Sequence, residues 1–250
     1  MRTLIISDIH SNLEALQAVL AAAPPHDVLW NLGDTVGYAA NPNEVIDTIR
    51  KVDGISIRGN HDRACISPED RDDFSPIADR AVRWTRGVLT RDHNEWLIGL
   101  PAGPLSPPGF DVSCVHGSPL DEDEYIISAD EAVFALQAAT ARITFFGHTH
   151  KQVGFASDRE DIFEIEPLYA SDDEADEFDL PLRGGVRYLL NPGSAGQPRD
   201  GDWRAAFAIY DDARALFTWH RVPYDVASAQ ENIRRAGLPD FLAERLIHGR

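Results

Sequence analysis

The first quarter of the chain alternates short apolar runs with amphipathic stretches. Residues 4–6, 28–32 and 55–57 are largely apolar and rich in branched side chains, which predicts three buried strands. Between them, residues 12–23 and the stretch that opens at Asn41 place apolar side chains at helical spacing. This order of strand, helix, strand, helix, strand is typical of right-handed crossovers in a mostly parallel sheet.

Capping residues indicate where three of the helices begin. Ser11 with Glu14, and Ser128 with Glu131, have the spacing of a capping box, in which side chains satisfy free N–H groups of the first turn. Pro42 stands at a first helical position, where its missing N–H removes no hydrogen bond. We therefore expect helices to begin near these three positions.

Strand patterns dominate the rest of the chain. Further strands are predicted at residues 111–115, 143–146, 152–156, 162–165, 186–190, 205–210 and 216–219, and further helices at 75–88, around 95–97, and at 132–139, 228–235 and 241–247. Because the later strands follow one another through turns, we expect the second half to form an antiparallel sheet. Without an internal repeat or a linker, residues 1–250 are predicted to form a single α/β domain of the mixed α+β type. Its four layers would be two facing mixed β-sheets flanked by helices.

The charge of the chain is strongly negative. It has 23 Lys plus Arg against 41 Asp plus Glu, a formal net charge of -18, so its surface should repel long nucleic acid. The acids are densest within residues 172–177. We interpret the acidic segment 171–179 as a solvated loop or a flexible hairpin tip, in preference to a regulatory cation site. It lacks the ladder of Asp and Asn with a central Gly that an EF-hand loop needs.

The chain shows none of the signals of a membrane or secreted protein. No stretch is long and apolar enough to span a bilayer, and the start turns polar too soon for a signal peptide. Cys65 and Cys114 have no metal-binding spacing, and we expect no disulfide between them. We therefore expect a cytoplasmic protein without a membrane partner.

Five polar fragments each follow a predicted strand. They are Asp8-Ile9-His10, Gly33-Asp34, Gly59-Asn60-His61-Asp62, His116-Gly117 and Gly147-His148-Thr149-His150. Because residues two apart on an extended strand project to the same side, each Asp-x-His or His-x-His pair can reach one centre. Loops beyond the carboxyl ends of parallel strands can turn such side chains into a common crevice. Each fragment alone has an ordinary explanation as a turn or a cap, but the ordered set indicates a metal site.

The ordered set of fragments resembles that of the calcineurin-like metallophosphoesterase superfamily, from residue 1 to about residue 150. The segment Asn191-Pro192-Gly193-Ser194, with Gln197-Pro198-Arg199, is similar to one in the small single-domain prokaryotic phosphodiesterases and phosphatases of that superfamily. It extends the resemblance to about Tyr210. The resemblance implies a fold like that of the metallo-dependent phosphatases and a metal-dependent phosphoester hydrolase.

The resemblance also implies the ligands of two divalent ions. One ion takes Asp8, His10 and His150, the other takes Asn60, His116 and His148, and Asp34 bridges both. Imidazoles with carboxylates suit transition metals, of which Mn is preferred and Fe, Zn, Co or Ni are also suitable. Two such ions lower the pKa of a bridging water, and the hydroxide attacks phosphorus.

Four residues are implied to act on the substrate. Asn60, His61 and Asp62 form the predicted catalytic set, in which His61 stabilises developing charge or protonates the leaving oxygen. Asp62 either holds His61 in its cationic form or caps the following helix, and the sequence does not separate these roles. Arg199 is a candidate phosphate contact.

The expected substrate is small or short and phosphorylated. Two divalent cations outweigh the carboxylates of Asp8 and Asp34, so the centre is expected to be cationic inside an acidic protein. Phosphodiester cleavage is favoured over monoester cleavage. The alternatives are a non-catalytic binding scaffold of the same fold, and a protein phosphatase or dinucleoside polyphosphate hydrolase. The oligomeric state is left open.

Overall fold

Two β-sheets face each other across an apolar core and carry helices on their outer faces. The computed structural model describes residues 1–67, 74–158 and 161–250. In these ranges the strands β1 to β11 are, in order, Arg2–Ile6, Val28–Asn31, Gly54–Ser56, Val112–Cys114, Ile143–Phe145, Gln152–Ser157, Ile162–Ile165, Asp176–Pro181, Arg187–Pro192, Ala205–Asp211 and Leu216–Val222. The helices α1 to α8 are Leu13–Ala22, Pro42–Ile49, Asn60–Ile66, Pro76–Val88, Arg91–Ile98, Ala129–Ala138, Val226–Arg235 and Asp240–Glu244, followed by a 3-10 helix at Arg245–His248. The predicted fold class is confirmed.

Each sheet mixes parallel and antiparallel pairs. The first has the order β3-β2-β1-β10-β11-β8, in which β1, β2 and β3 are parallel, and the second has the order β4-β5-β9-β6-β7. The parallel arrangement predicted for the first three strands is confirmed. The antiparallel sheet predicted for the second half is wrong, because its strands divide between both sheets and β9 pairs parallel with β5. β10 lies inside the first sheet, between β1 and β11. All seven of its residues are buried, as expected for a central strand and not for an edge strand.

The strand register brings the ends of five strands to corresponding edges of the two sheets. Ile6 of β1 pairs with Asn31 of β2, and Asn31 pairs with Ser56 of β3. In the second sheet Cys114 of β4 pairs with Phe145 of β5. The polar fragments that follow these strands therefore leave the sheets side by side.

Aromatic rings fill the space between the sheets. Phe145 of the second sheet lies 5.3 Å from Tyr210 and 5.7 Å from Phe217 of the first, measured between ring centroids. Trp219 is fully buried in the same core, and its indole N–H donates to the Asn191 carbonyl at 2.7 Å. The buried polar end of Trp219 is thus satisfied, and the two sheets are held at a fixed separation.

The two predicted capping boxes have different outcomes. Ser128 and Glu131 form one, since the Glu131 carboxylate accepts the Ser128 N–H at 3.0 Å. The box predicted for Ser11 is wrong: Asn12 is the N-cap of α1 and its side chain accepts the Ala15 N–H at 3.1 Å. Ser11 is held in the left-handed conformation with φ 59°, within the turn that carries His10, and cannot cap the helix.

Part of the acidic segment is a strand. The loop interpretation is wrong for residues 176–179, which belong to β8 at the edge of the first sheet, paired with β11. Phe178 and Leu180 turn inward against the core, while Glu177 and Asp179, which alternate with them, are exposed. Charges on an exposed edge strand discourage pairing with other chains, which gives the acids a structural role.

No helix in the described ranges has both the length and the apolar character needed to cross a bilayer.

Replacing Phe145 by Ala should lower the free energy of unfolding by about 3–5 kcal/mol, because a fully buried ring between two rigid sheets leaves a cavity. Urea unfolding monitored by tryptophan fluorescence measures this change. Phe163→Ala is the matched control, since Phe163 on β7 is 53% exposed and its loss should change stability by no more than about 0.5 kcal/mol. Equal effects of the two substitutions would contradict the described core.

Candidate metal centre

The polar fragments that follow β1, β2, β4 and β5 meet in one buried place. One group consists of Asp8, His10, Asp34 and His150, and a second of Asp34, His116 and His148, and in each group the ligand atoms lie within 4.8 Å of one another. Asp34 belongs to both groups. Its Oδ2 atom lies 3.5 Å from the Nε2 of His10 and 3.4 Å from the Nε2 of His116. The sequence places these residues far apart, and the fold places one carboxylate between the two histidines.

Several of these residues adopt a backbone conformation that side chains normally avoid. The φ angles of Asp8, His10, Asp34, His148 and His150 lie between 50° and 64°, in the left-handed region. Such residues are strained and cluster at functional sites. Hydrogen bonds between the loops hold them in place: the Asp8 N–H donates to the Gly33 carbonyl at 3.0 Å and the His10 N–H to the Asp34 carbonyl at 2.9 Å. The left-handed conformation turns each of these residues sharply away from its strand and toward the centre.

Backbone carbonyls fix the tautomer of three histidines. The Nδ1 atoms of His10, His116 and His150 lie 3.1, 2.8 and 2.6 Å from the carbonyl oxygens of Val36, Leu32 and Gln197. A carbonyl oxygen only accepts hydrogen bonds, so each Nδ1 carries a hydrogen, and each Nε2 has a free lone pair when the ring is neutral. All three Nε2 atoms face the centre.

His148 has the opposite arrangement. Its Nε2 lies 3.1 Å from the Asp123 carbonyl and therefore carries the hydrogen, which leaves Nδ1 as the free ligand atom. Its ring packs against Tyr125 at 4.0 Å between centroids. The segment between β4 and α6 thus orients a residue of a different loop.

The facing lone pairs fit a bound cation. The Nε2 atoms of His10 and His150 lie 3.1 Å apart, although neither carries a hydrogen for the other while both rings are neutral, and the His116 Nε2 lies 3.1 Å from the Asn60 Oδ1. The Oδ1 of Asp8 is buried without a hydrogen-bond partner among the described residues. Two ligand nitrogens at this separation can both lie ~2.0–2.1 Å from one ion. Imidazole, carboxylate and amide donors suit a divalent transition metal. The site can therefore bind metal ions.

Burial and charge keep most of these imidazoles neutral. Burial lowers the pKa values of His10 and His150 well below the usual range and that of His148 to about 3. Burial opposes the charged forms of Asp34 and His116 too, but their mutual attraction overcomes it, lowering the pKa of Asp34 and raising that of His116 to about 10. Asp34 is thus an anion and three of its neighbours are neutral ligands at neutral pH.

His61 lies beside the ligand groups and belongs to neither. Its backbone N–H donates to the Asp34 Oδ1 at 2.8 Å. Its ring lies 4.8 Å from that of His10 and 4.3 Å from that of Tyr38, and its Nδ1 is buried with no hydrogen-bond partner in the described part of the chain. The side chain of His61 is therefore near the centre with a polar atom still available.

Asp62 contacts the backbone. Its carboxylate accepts the N–H groups of Thr35, Val36 and Gly59 at 3.2, 3.0 and 3.1 Å, which ties the loop after β2 to the start of α3. Of the two roles left open by the sequence, these contacts support the cap. Burial raises the pKa of Asp62 to about 7, with a further contribution from the charge of Asp34.

Arg199 reaches the same place from the loop after β9. Its guanidinium lies 5.6 Å from the ring centroid of Tyr38, and its positive charge helps to lower the pKa values of His10 and His61.

Asn191 has a supporting role: its amide donates to the Gly147 carbonyl at 2.8 Å and to the Thr149 hydroxyl at 3.0 Å, which shapes the loop of His148.

Sequence reasoning missed Tyr125 and Asp123. Both lie in an irregular segment without hydrophobic periodicity or a polar fragment after a strand, so no local signal distinguished them. Their contact with His148 exists only because the loop after β4 folds over the loop after β5.

A cavity of about 760 Å³ borders the centre at Thr149. Its wall includes Tyr169 and Trp203, together with the acids Glu164, Glu166, Asp172, Asp173, Asp200 and Asp202. Asp200 and Asp202 pair with Arg221 and Arg204, and the remaining acids leave the wall negative. The cavity suits an uncharged or cationic group better than a phosphate.

Known proteins are similar to this chain in sequence and in fold. Residues 1–213 match the calcineurin-like phosphoesterase superfamily domain. The chain is 35% identical over 254 residues to an uncharacterized protein of Methanocaldococcus jannaschii, covering 98% of this chain and 97% of that protein. The crystal structure of a metallophosphoesterase from Sphaerobacter thermophilus matches it with a TM-score of 0.88 and 39% identity, over 100% of this chain and 99% of that one. The symmetrical bis(5'-nucleosyl)-tetraphosphatase of Yersinia enterocolitica is 31% identical over 158 residues, which span 55% of this chain and 53% of that enzyme.

Gly59→Ala should remove bound metal. A Cβ atom at Gly59 would lie 2.8 Å from the Cγ of Asp34 and closer still to its backbone N, so the carboxylate shared by both groups must move. We expect the metal content after desalting, measured by mass spectrometry, to fall at least about tenfold, since displaced ligands lose most of their coordination energy.

Gly87→Ala in α4 is the control for this prediction. A Cβ atom there meets nothing within 4 Å, so metal content should be unchanged, and the better helix propensity of Ala should raise stability by up to about 1 kcal/mol. A Gly59→Ala protein that retains its full metal content would show that the position of Asp34 does not control binding.

Proposed function

The chain belongs to the calcineurin-like phosphoesterase superfamily, and we propose that it hydrolyses phosphoesters with two divalent metal ions. The observation that carries the proposal is the position of Asp34, whose Oδ2 lies within 3.5 Å of one histidine from each ligand group. A carboxylate has enough lone pairs and charge to serve two cations. A shared carboxylate is what a centre of two adjacent ions needs.

The proposed ligands divide into two sets around Asp34. Asp8, His10 and His150 would hold one ion, and Asn60, His116 and His148 the other. Manganese is the proposed metal, because nitrogen ligands mixed with carboxylate and amide oxygen suit it; iron, zinc, cobalt and nickel fit the same donors. When bound, two such ions neutralise phosphoryl oxygens and lower the pKa of a water molecule to make it nucleophilic.

The protein itself contributes orientation. The ring of each ligating histidine is fixed through its other nitrogen by a backbone carbonyl, as in His10 with Val36 and His148 with Asp123. Such outer contacts hold the rings in one tautomer and raise their basicity. Arg199, beside Tyr38, supplies a guanidinium that can donate to a phosphoryl oxygen.

His61 acts as a hydrogen-bond donor toward the phosphoryl group in this proposal. Burial lowers its pKa to about 4, an effect that the charge of Asp34 opposes and that of Arg199 reinforces. His61 is therefore neutral at neutral pH, which favours stabilisation of developing charge through a ring N–H over transfer of a proton to the leaving oxygen. Asp62 keeps the loops in place and does not act on substrate.

A phosphodiester is the preferred substrate class. A diester carries one negative charge near neutral pH, whereas a monoester carries nearly two, so the field of a chain with net charge -18 opposes the diester less. The same field disfavours long nucleic acid. A dinucleoside polyphosphate hydrolase is the second candidate, supported by the similarity of about half the chain to the tetraphosphatase of Yersinia enterocolitica.

We expect hydrolysis of bis(p-nitrophenyl) phosphate, and slower hydrolysis of p-nitrophenyl phosphate, when Mn²⁺ is added. His61→Ala should lower kcat about 10²–10³-fold with metal content nearly intact, because the lost donor acts on the transition state and not on the ions. His26→Ala is the control: His26 precedes β2 at the opposite end of the strand and contacts the Pro24 carbonyl.

Two results would count against this role. Loss of metal in His61→Ala would mean that His61 is a ligand. Absence of turnover with every divalent metal, despite bound ions, would support the binding scaffold.

Metal stoichiometry tests the shared carboxylate. Asp34→Asn should weaken both ions, because it removes charge from both ligand groups, whereas Asp8→Asn should weaken only the ion held with His10 and His150. Titration calorimetry of the metal-free proteins with Mn²⁺ should give about two tight sites for the native chain, one for Asp8→Asn and none for Asp34→Asn. Retention of two tight sites in Asp34→Asn would refute the bridge.

A further inference from the structure

The loop after β4 folds into a tight turn over the glycine that follows His116. A Cβ atom at Gly117 would lie 2.6 Å from the Glu122 carbonyl oxygen and 2.7 Å from that of Glu124, distances that no real side chain adopts. Glycine lets the backbone approach this closely because it has no Cβ. Residues 117–125, the 117–125 turn, are therefore held against the backbone next to a proposed ligand.

The same turn fixes a second proposed ligand. The Asp123 carbonyl accepts a hydrogen bond from Nε2 of His148 at 3.1 Å, and the Tyr125 ring lies 4.0 Å from the His148 ring between centroids. The first contact leaves Nδ1 as the free nitrogen, and the second limits rotation of the ring. The ligand atom of His148 is thus selected by the 117–125 turn.

An arginine of α3 joins the turn to the helix that carries a third proposed ligand. Arg63 shares α3 with Asn60. Its guanidinium donates to the Asp123 carboxylate at 2.7 Å and also to the Glu122 carboxylate. Arg58, which precedes the helix, donates to Glu122 at 3.1 Å. The side chains of Arg63 and Glu122 are only 19% and 14% exposed, so solvent screens their attraction less than it would at the surface.

The proposed ligands of one ion are thus all connected to a single turn. They are Asn60, His116 and His148. Different loops fix the histidines of the other ion, since the Val36 carbonyl accepts from His10 and the Gln197 carbonyl from His150. A change in the 117–125 turn can therefore act on one ion more than on the other.

We propose that Arg63 is a positioning residue for the ion held with His148, and that it acts through the 117–125 turn. This inference rests on the proposed function, in which two ions occupy the two ligand sets. A guanidinium suits the role, because its planar fork can engage the carboxylates of two neighbouring residues at once. With both engaged, the Asp123 carbonyl stays aimed at His148.

Titration calorimetry with Mn²⁺ tests the proposal in two backgrounds. Asp8→Asn retains the ion held with His148, and His116→Ala retains the other ion. Adding Arg63→Ala to the first background should weaken the remaining site about tenfold, because outer contacts of a ligating histidine contribute at least that factor to metal affinity. Adding it to the second should weaken the remaining site less than about twofold, as for independent positions.

The sign of the change separates positioning from charge. Arg63 is a cation, and its removal leaves the carboxylates of Glu122 and Asp123 without one of their counter-charges. Electrostatics alone would therefore make a metal ion bind more tightly in Arg63→Ala. Weaker binding requires a displaced ligand. Unchanged or tighter binding in the Asp8→Asn background would disprove the proposal.

The tautomer of His148 in the metal-free protein gives a second readout. ¹⁵N NMR of histidine-labelled protein shows which ring nitrogen carries the hydrogen, with the resonances assigned by their loss in His148→Ala. The native chain should carry it on Nε2, and Arg63→Ala should populate both tautomers. If Arg63→Ala keeps the hydrogen entirely on Nε2, the route through the Asp123 carbonyl is wrong.

Two further variants complete the test. Arg50→Ala is the matched control: Arg50 pairs with Asp92 and joins α2 to α5, which carry no proposed ligand, so neither readout should change. Arg63→Lys keeps the charge and loses the fork, so the ion held with His148 should bind about threefold more weakly. Thermal unfolding shows whether Arg63→Ala remains folded, and Arg63→Lys decides the matter if it does not.

Failure of this proposal differs from failure of the proposed function. A native chain that binds a single Mn²⁺ ion, or that leaves bis(p-nitrophenyl) phosphate intact, would contradict the two-ion hydrolase. The His148 tautomer in the metal-free protein would still show whether Arg63 controls the ring.

Discussion

The facing lone pairs of buried histidines are the constraint on which the rest of this structure depends. His10 and His150 each use one ring nitrogen to donate to a backbone carbonyl, and burial keeps both rings neutral by lowering their pKa values, so the other nitrogen of each carries no hydrogen. A separation of 3.1 Å between the Nε2 atoms of His10 and His150 suits a cation bound by both nitrogens. β1 pairs in parallel with β2, and β4 pairs in parallel with β5. Each pair therefore ends at one edge of its sheet, and this makes the convergence possible.

The loops that carry the ligands are stiffened at some energetic cost. Left-handed conformations at Asp8, Asp34 and His148 are each unfavourable by about 1–3 kcal/mol, and the loops keep them through hydrogen bonds that cross from one loop to the next. Asp62 joins two of the loops through three backbone N–H groups, and the close approach of Gly59 leaves room for Asp34. These contacts hold the side chains of the two buried groups in fixed positions.

The charge of the protein is distributed unevenly between the surface and the site. Acids cover the outside, including the exposed face of β8, while the Arg199 guanidinium lies 5.6 Å from the Tyr38 ring, near the buried groups. A field of this kind repels long polyanions and leaves a local attraction for a compact phosphate group.

The sequence by itself determined the parallel strands β1 to β3 and most helices, because hydrophobic period is a local signal, and its polar breaks after strands marked the residues that gather in the two buried groups. The sequence analysis placed the cap at Ser11 instead of Asn12, because a turn fixed by distant loops holds Ser11. It also missed the strand at residues 176–179, which forms because β11 is available as its partner. Only the tertiary structure decided which strands pair, which nitrogen of each histidine contacts a backbone carbonyl, and that Gly249 at the chain end meets Gly201. Those features depend on atoms brought together from distant parts of the chain, such as His10 and His150, and no local pattern records such contacts.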